Sequence, residues 1–303
     1  MRISCSARKD RQPIKGWLDF FRNHAETHSN FQYDYKDIDY VFGQVAGVTP
    51  LWGGRVANEP SITKVDIHWL YDNGIGLKLP LTSKFISDKQ YKESIPFLKQ
   101  YHRKENAIIT ATDELAKHIK NDFPDYQIEA SCIQDIVDTE KLEQKISLGV
   151  YDTIVLPIHM NDDVKFLESI KDKEKIRLFL NVECSYACPK KVCYGTTSKI
   201  NVSEDGVKNS LSFRCSFWDF GMERTFHKDH INWNNFYFDK SKFDKIGINK
   251  YKLLPPLEVQ QRTATMYRKN RKLLKDHAKF IKDMHIMSND IKEILKMERM
   301  EKN

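Results

Sequence analysis

From residue 40 onward the sequence alternates between short apolar runs and amphipathic stretches, and this alternation constrains the fold more than any other feature. The strongest runs are apolar almost throughout, as strands are when both faces of their sheet are covered. Eight runs occur, at 40–45, 77–81, 107–111, 127–131, 153–158, 176–181, 236–238 and 250–254. Stretches of helical period lie between them, at 62–71, 88–102, 113–122, 139–148, 162–171 and 240–245.

Strand–helix–strand units in series favour a parallel sheet covered by helices. Eight strand candidates predict an α/β protein with a closed (β/α)8 barrel of the TIM type, and an open doubly wound sheet is the alternative. The open sheet would carry a G-x-G-x-x-G turn after its first strand, and GQVAGVTPLWGG at 43–54 lacks that pattern. We therefore expect an N-terminal extension at 1–39 outside the barrel, one barrel domain at 40–255, and a C-terminal helical segment at 256–303.

Composition is that of a globular protein with a substantial core. Hydrophobic residues make up 40% of the 303 residues and charged residues 30%, and the formal net charge of +7 permits an anionic partner such as RNA. No apolar run is long enough for a membrane span, and the first residues lack the apolar centre of a signal peptide. We expect a cytoplasmic protein, in which stable disulfides are disfavoured.

Three of the six cysteines fall in the stretch NVECSYACPKKVCYG, and a fourth follows at some distance. The four are Cys184, Cys188, Cys193 and Cys215. In a reducing compartment, clustered cysteines bind metal or do redox chemistry more often than they form disulfides. Three close thiolates and one remote thiolate are common in iron–sulfur ligation, whereas zinc sites usually pair their ligands in two tight knuckles. This spacing favours an iron–sulfur cluster, with a zinc ion and isolated reduced thiols as the alternatives.

Polar residues at the predicted strand ends are the other candidates, because chemistry in a parallel barrel sits at the carboxyl ends of its strands. Arg55 follows the first run and could bind an anionic group, His159 follows the fifth as a candidate acid or base, and Asn181 closes the sixth as a candidate substrate ligand. Glu129 lies within the fourth run. If its carboxyl points inward it is a candidate catalytic group with a raised pKa, and the alternative is a carboxylate paired with a lysine.

The order of these landmarks resembles the U32 peptidase family, whose members include collagenase-like proteins, RNA-hydroxylation factors and oxygen-independent ubiquinone-hydroxylation proteins. The resemblance is carried by YVFGQVAG and GGR in 40–55, AIITATDELAKHIKNDFPDYQIEAS in 107–131, YDTIVLPIHMNDDVKFLESI in 151–170, IRLFLNVECSYAC in 176–188 and FDKIGINKYKLL in 243–254. The sequence departs from the family at two places. Asn181-Val182-Glu183 stands where the family has His-Gly-Ala, and Pro255-Pro256 stands where it has an arginine.

The resemblance implies a barrel-like fold and one iron–sulfur site. Several similar proteins hold a 4Fe–4S cluster on four cysteines, and the matching positions here are Cys184, Cys188, Cys193 and Cys215. It also implies an enzyme, or a subunit of one, that assists a hydroxylation or related modification of an RNA or small-molecule substrate, alone or with a protein partner. The alternatives are a non-catalytic scaffold stapled by metal and a U32-type peptidase.

Overall fold

Eight parallel strands close into a barrel in which each strand is hydrogen-bonded to its neighbours in the chain. The computed structural model describes residues 1–7, 13–47, 49–52, 61–181 and 237–254. The first strand closes the barrel against the eighth, with Arg2 opposite Lys250. The strands are β1 (Arg2–Ser6), β2 (Ile38–Phe42), β3 (Gly76–Leu81), β4 (Ala107–Thr110), β5 (Gln127–Ala130), β6 (Thr153–Val155), β7 (Ile176–Phe179) and β8 (Lys250–Leu253). The predicted (β/α)8 barrel of the TIM type is therefore confirmed.

A helix follows each of the first seven strands. The helices are α1 (Ile14–His28), α2 (Lys64–Asp72), α3 (Asp88–Gln100), α4 (Asp113–Asp122), α5 (Thr139–Ser147), α6 (Val164–Ser169) and α7 (Lys240–Ile246). Short 3₁₀ turns lie at Tyr35–Asp37, Cys132–Gln134, Ile158–Asp162 and Lys173–Lys175. Within the described ranges, every helix is too short or too polar to cross a bilayer. The helical segment expected at 256–303 lies outside the described residues.

Polar side chains fix where most helices begin, because they accept hydrogen bonds from backbone N–H groups that have no partner within the helix. Thr63 and Asp66 cap α2 reciprocally, each side chain accepting from the backbone N–H of the other. Helix α1 begins after Pro13, which offers no side-chain cap. The N–H of Ile14 instead donates to Asp66 Oδ1 at 2.9 Å, so a residue of α2 caps α1 as well.

Strand β1 and helix α1 lie in the segment 1–39, and this corrects the expectation of an extension outside the barrel. The sequence RISCS has no continuous apolar run, because its apolar residues alternate with polar ones. Ile3 and Cys5 are fully buried, and between them Ser4 is the register partner of Lys252. The run expected to be a strand at 236–238 is not one of the eight barrel strands, since Tyr237 makes an isolated antiparallel bridge with Asn181.

The two faces of the sheet differ in chemistry. Successive side chains of a strand point to opposite faces, so Leu77 and Leu79 on β3 face the helices when Lys78 faces the barrel axis. All three are buried. The main apolar core therefore lies between the strands and the helices, and part of the barrel interior is charged. A barrel interior of this kind is filled by side chains from alternate strands, and these charged residues form part of that filling.

Candidate functional site

Glu129 on β5 points into the barrel and meets three cationic side chains. Its Oε2 accepts a hydrogen bond from Lys78 Nζ of β3 at 2.5 Å, and its Oε1 accepts one from Lys252 Nζ of β8 at 3.1 Å. Arg177 Nε of β7 lies 3.3 Å from Oε2. Glu129, Lys78 and Arg177 side chains are each 1% exposed. One carboxylate thus joins strands from opposite sides of the barrel.

Arg177 connects this group to a second carboxylate. Its Nη1 and Nη2 donate to Asp39 Oδ1 and Oδ2 at 3.1 Å and 2.5 Å, in the two-pronged geometry that suits a guanidinium and a carboxylate. Nη1 also donates to the carbonyl oxygen of Tyr251 at 3.0 Å. Asp39 lies at the second residue of β2, so the ion-pair network reaches the amino-terminal end of the barrel.

Aromatic rings complete the surroundings of the lysines. Lys78 Nζ lies 4.2 Å from the ring centroid of Tyr40, and Lys252 Nζ lies 4.4 Å from that of Phe42, both within cation–π range. Gly76 leaves space for the Tyr40 ring, because a Cβ at Gly76 would lie 2.8 Å from that ring and 2.1 Å from the carbonyl oxygen of Glu105. A side chain at residue 76 would displace both groups.

The network sets the protonation of its members. Burial by itself raises the pKa of Glu129, but the charges of Lys252, Lys78 and Arg177 outweigh burial and hold that pKa well below its usual range. The raised pKa expected for an inward-pointing Glu129 is therefore wrong in direction, and the carboxyl is ionised near neutral pH. Burial and then the charge of Arg177 lower the pKa of Lys78 to about 7.

Two other predicted residues lie near the carboxyl ends of the strands. His159 is half-buried in the 3₁₀ turn Ile158–Asp162, directly after β6. Asn181 is buried, donates from Nδ2 to the carbonyl oxygen of Leu254 at 2.7 Å, and accepts from the Leu254 N–H at 2.9 Å. Within the described part of the chain, no hydrogen bond joins Glu129 to either residue. Catalysis by His159 or Glu129 and substrate binding by Asn181 stay predictions.

The remaining predicted site residues cannot be placed in this geometry. Arg55, Cys184, Cys188, Cys193 and Cys215 lie outside the described residues. The residues on either side of the cysteine segment, Asn181 and Tyr237, lie next to each other.

Both flanks of the segment 182–236 are fixed at the carboxyl end of β7. Asn181 and Tyr237 form an antiparallel bridge, and the N–H of Phe238 donates to the carbonyl oxygen of Leu180 at 2.8 Å. The hydroxyl of Tyr237 also shares a hydrogen bond of 2.8 Å with His24 Nδ1 of α1. The segment that carries four cysteines therefore starts and ends at one place on the rim.

Sequence reasoning overlooked Lys78 and Arg177 and assigned no role to Lys252. The signal that could have found them is a single charged residue inside an otherwise apolar strand, as in GLKLPL and IRLF. A buried charge requires a partner of opposite sign. A lone cation in one apolar strand therefore predicts a lone anion in another. Glu129 in QIEA is the matching anion.

Comparison with known proteins bears on the fold. The arrangement is similar to a solved structure of the U32 peptidase Mk0906, with a TM-score of 0.50 and 12% sequence identity, over 84% of this chain and 91% of that one. The chain shares the fold of a U32 peptidase. The resemblance inferred from the sequence motifs is thus confirmed in the architecture, and at this identity the likeness concerns the fold alone. No protein-family model matches the sequence, and no curated protein is similar to it.

Proposed function

We propose that the chain is an iron–sulfur barrel enzyme, or a subunit of one, that assists a hydroxylation or related modification of an RNA or small-molecule substrate in the cytoplasm. The observation that carries the proposal is the fixed position of both flanks of the segment 182–236 at the carboxyl end of β7. In parallel barrels this is the end where chemistry occurs.

The donor set fits a metal centre beside that point. Cys184 follows Asn181 by three residues in the sequence. Cys188, Cys193 and Cys215 supply three more thiols in the same segment. Four thiolates are the usual complement of a 4Fe–4S cluster, which would supply electron transfer or a binding point for substrate, and zinc is the alternative metal.

The other two cysteines are less suited to this role. Cys5 is fully buried on β1, and burial raises the pKa of its thiol, which disfavours the thiolate that a metal requires. Cys132 lies in the turn after β5 and is half-buried. Its position outside the proposed set of four makes it a matched control.

Around the centre, the chain's own residues would position the substrate. His159 would exchange protons, and Asn181 would hold the strand end that carries Cys184 while contacting substrate. Arg55 would bind an anionic group such as an RNA phosphate, which the formal net charge of +7 would attract. Glu129 would act from inside the barrel by fixing Lys78 and Lys252.

Metal content tests the site. The full chain is purified without oxygen, and iron, acid-labile sulfide and visible absorbance are measured for the wild type, Cys188→Ser and Cys132→Ser. We expect a 4Fe–4S complement in the wild type and Cys132→Ser, and its loss, with lower thermal stability, in Cys188→Ser. Stoichiometric zinc without iron would support a metal site at these cysteines and contradict the iron–sulfur cluster. Wild-type protein that carries no metal would overturn the site.

Substrate assays separate the proposed enzyme from its alternatives. Bulk RNA and small aromatic compounds are incubated with oxidised wild type and with Cys188→Ser, with water as the oxygen source and a quinone as the two-electron acceptor, and mass spectrometry detects an added oxygen atom. A product formed only by the wild type supports the enzyme, and partner binding that survives metal removal supports the scaffold. The shared fold makes a peptidase the second candidate, which cleavage of denatured collagen by the wild type would favour.

A further inference from the structure

A cavity opens at the amino-terminal end of the barrel, away from the strand ends that lead to the cysteines. Its volume is about 50 Å³, which is room for several water-sized groups. Residues at or near the first positions of β1, β2, β6 and β8 line it, and the side chains of Lys78 and Arg177 reach it from the interior. It is therefore a separate site from the proposed metal centre.

More cationic side chains than carboxylates line this cavity, and each of the carboxylates already has a partner. Four cations line it, namely Arg2, Lys78, Arg177 and Lys250. Three carboxylates also line it, namely Asp39, Glu129 and Asp152. Asp39 is bound by Arg177, Glu129 by Lys78 and Lys252, and Asp152 by Lys120 and the N–H of Ile128. Each carboxylate is thus already compensated by other groups.

Arg2 and Lys250 have no carboxylate partner in the part of the chain that the structure describes. Lys250 Nζ has a single hydrogen bond, a long one of 3.4 Å to Thr153 Oγ1. Burial and then the charges of Arg177 and Arg2 lower the pKa of Lys250, against the opposing charges of Asp39 and Glu129. The buried Nε of Arg177 also lacks a hydrogen bond of good geometry, although it lies near Glu129.

We propose that this cavity binds a small oxyanion, of the phosphate or carboxylate type, between Arg2, Lys250 and Arg177. Such an anion would compensate the excess charge and accept N–H groups of Lys250, which is half-buried, and of Arg2, which is exposed at the mouth of the cavity. Asp39, Glu129 and Asp152 also line the cavity, and each is already paired with a cation. The cavity volume admits a group the size of a phosphate or a carboxylate.

Binding of inorganic phosphate and of formate tests the proposal. The full chain carries any purification tag at its carboxyl end, because Arg2 lies at the mouth of the cavity. Isothermal titration and thermal melting are recorded at constant ionic strength, with sodium chloride, whose anion is not an oxyanion, replacing the test salt. We expect saturable binding of at least one of the two anions, with a melting temperature that rises as the anion concentration passes its Kd.

Charge-removing variants locate the site. Arg2→Gln and Lys250→Gln should each weaken the binding by about tenfold or more, because each loses a charge-assisted contact. Lys165→Gln, on the exposed face of α6, is the matched control and should bind as the wild type does. Melting without anion shows that each variant is folded. Wild-type protein that binds neither anion, or equal binding by Lys250→Gln, Arg2→Gln and Lys165→Gln, would overturn the proposal.

The test is independent of the proposed function. Cys188→Ser protein should bind the anion as the wild type does, because the cavity lies at the amino-terminal end of the barrel. Anion binding that is lost together with iron in Cys188→Ser, while Lys250→Gln keeps both, would place the anion at the metal centre and overturn this assignment.

Discussion

Glu129 shows how one residue determines the chemistry of the barrel interior. Its carboxylate is the acceptor shared by Lys78 and Lys252 and an ion-pair partner of Arg177. Removing one charge from a buried network leaves the others without compensation, which costs more than the intact network contributes. The residue therefore matters for stability whatever its part in catalysis.

We expect Glu129→Gln to lower the free energy of unfolding by about 3–5 kcal/mol, because Lys78, Lys252 and Arg177 would lose the buried carboxylate that they share. Urea unfolding at neutral pH measures the change. Glu168→Gln, on the exposed surface of α6, should change it by less than about 0.5 kcal/mol. The double variant Glu129→Met with Lys78→Met should lose less than the sum of the single variants. Additive losses would show that the two side chains are not coupled.

Lys78 gives the stability a pH dependence of definite sign. Its pKa falls from 10.5 to about 7 on folding, so between these pH values the folded chain binds fewer protons than the unfolded chain. The stability that Lys78 contributes is full above its pKa in the unfolded chain, 10.5. It is lost as the pH falls through its pKa in the folded chain, about 7. The stability of the wild type relative to Lys78→Met should therefore be higher at about pH 9.5 than at about pH 7. Urea unfolding at both pH values measures it, and an unchanged difference would contradict the assignment.

At the scale of elements, the parts predicted from the sequence are those that local pattern determines. Helix α4 was expected at 113–122 and has those bounds, because Thr112 caps its first turn. Strand β1 was missed because RISCS alternates polar and apolar residues, and only the charged interior explains why a core strand would do so. The Glu129 cluster was missed for a related reason, since its partners come from strands far apart in sequence.

The cap that Asp66 of α2 gives to α1 is likewise a contact between residues far apart in sequence. Asp66 accepts from the N–H of Ile14 and from the N–H and hydroxyl of Thr63, and it is buried. We expect Asp66→Ala to cost about 1–3 kcal/mol, since it leaves buried donors unpaired. Asp72→Ala, at the exposed end of the same helix, is the control. Thermal or urea unfolding measures both, and equal small losses would show that the cap is dispensable.

At the scale of the whole molecule, closure of the barrel depends on β1. This strand belongs to the segment 1–39, which the sequence predicted to lie outside the barrel. Strand β1 pairs with β8 on one side and β2 on the other. Without it, β2 and β8 would each present an unpaired edge, and such edges promote aggregation. By contrast, none of the eight strands uses a residue beyond Leu253.

Two truncations distinguish these roles. A chain lacking residues 1–7 should lose its cooperative thermal transition and elute as an aggregate, because it loses two of the eight interstrand pairings and the buried side chains of Ile3 and Cys5. A chain that ends at Asp276 should keep the cooperative transition and its metal content, because it retains all eight strands and all four clustered cysteines. Circular dichroism, size-exclusion chromatography and metal analysis are applied to both. A cooperative, monomeric chain without residues 1–7 would show that seven strands suffice and that β1 is not required for closure.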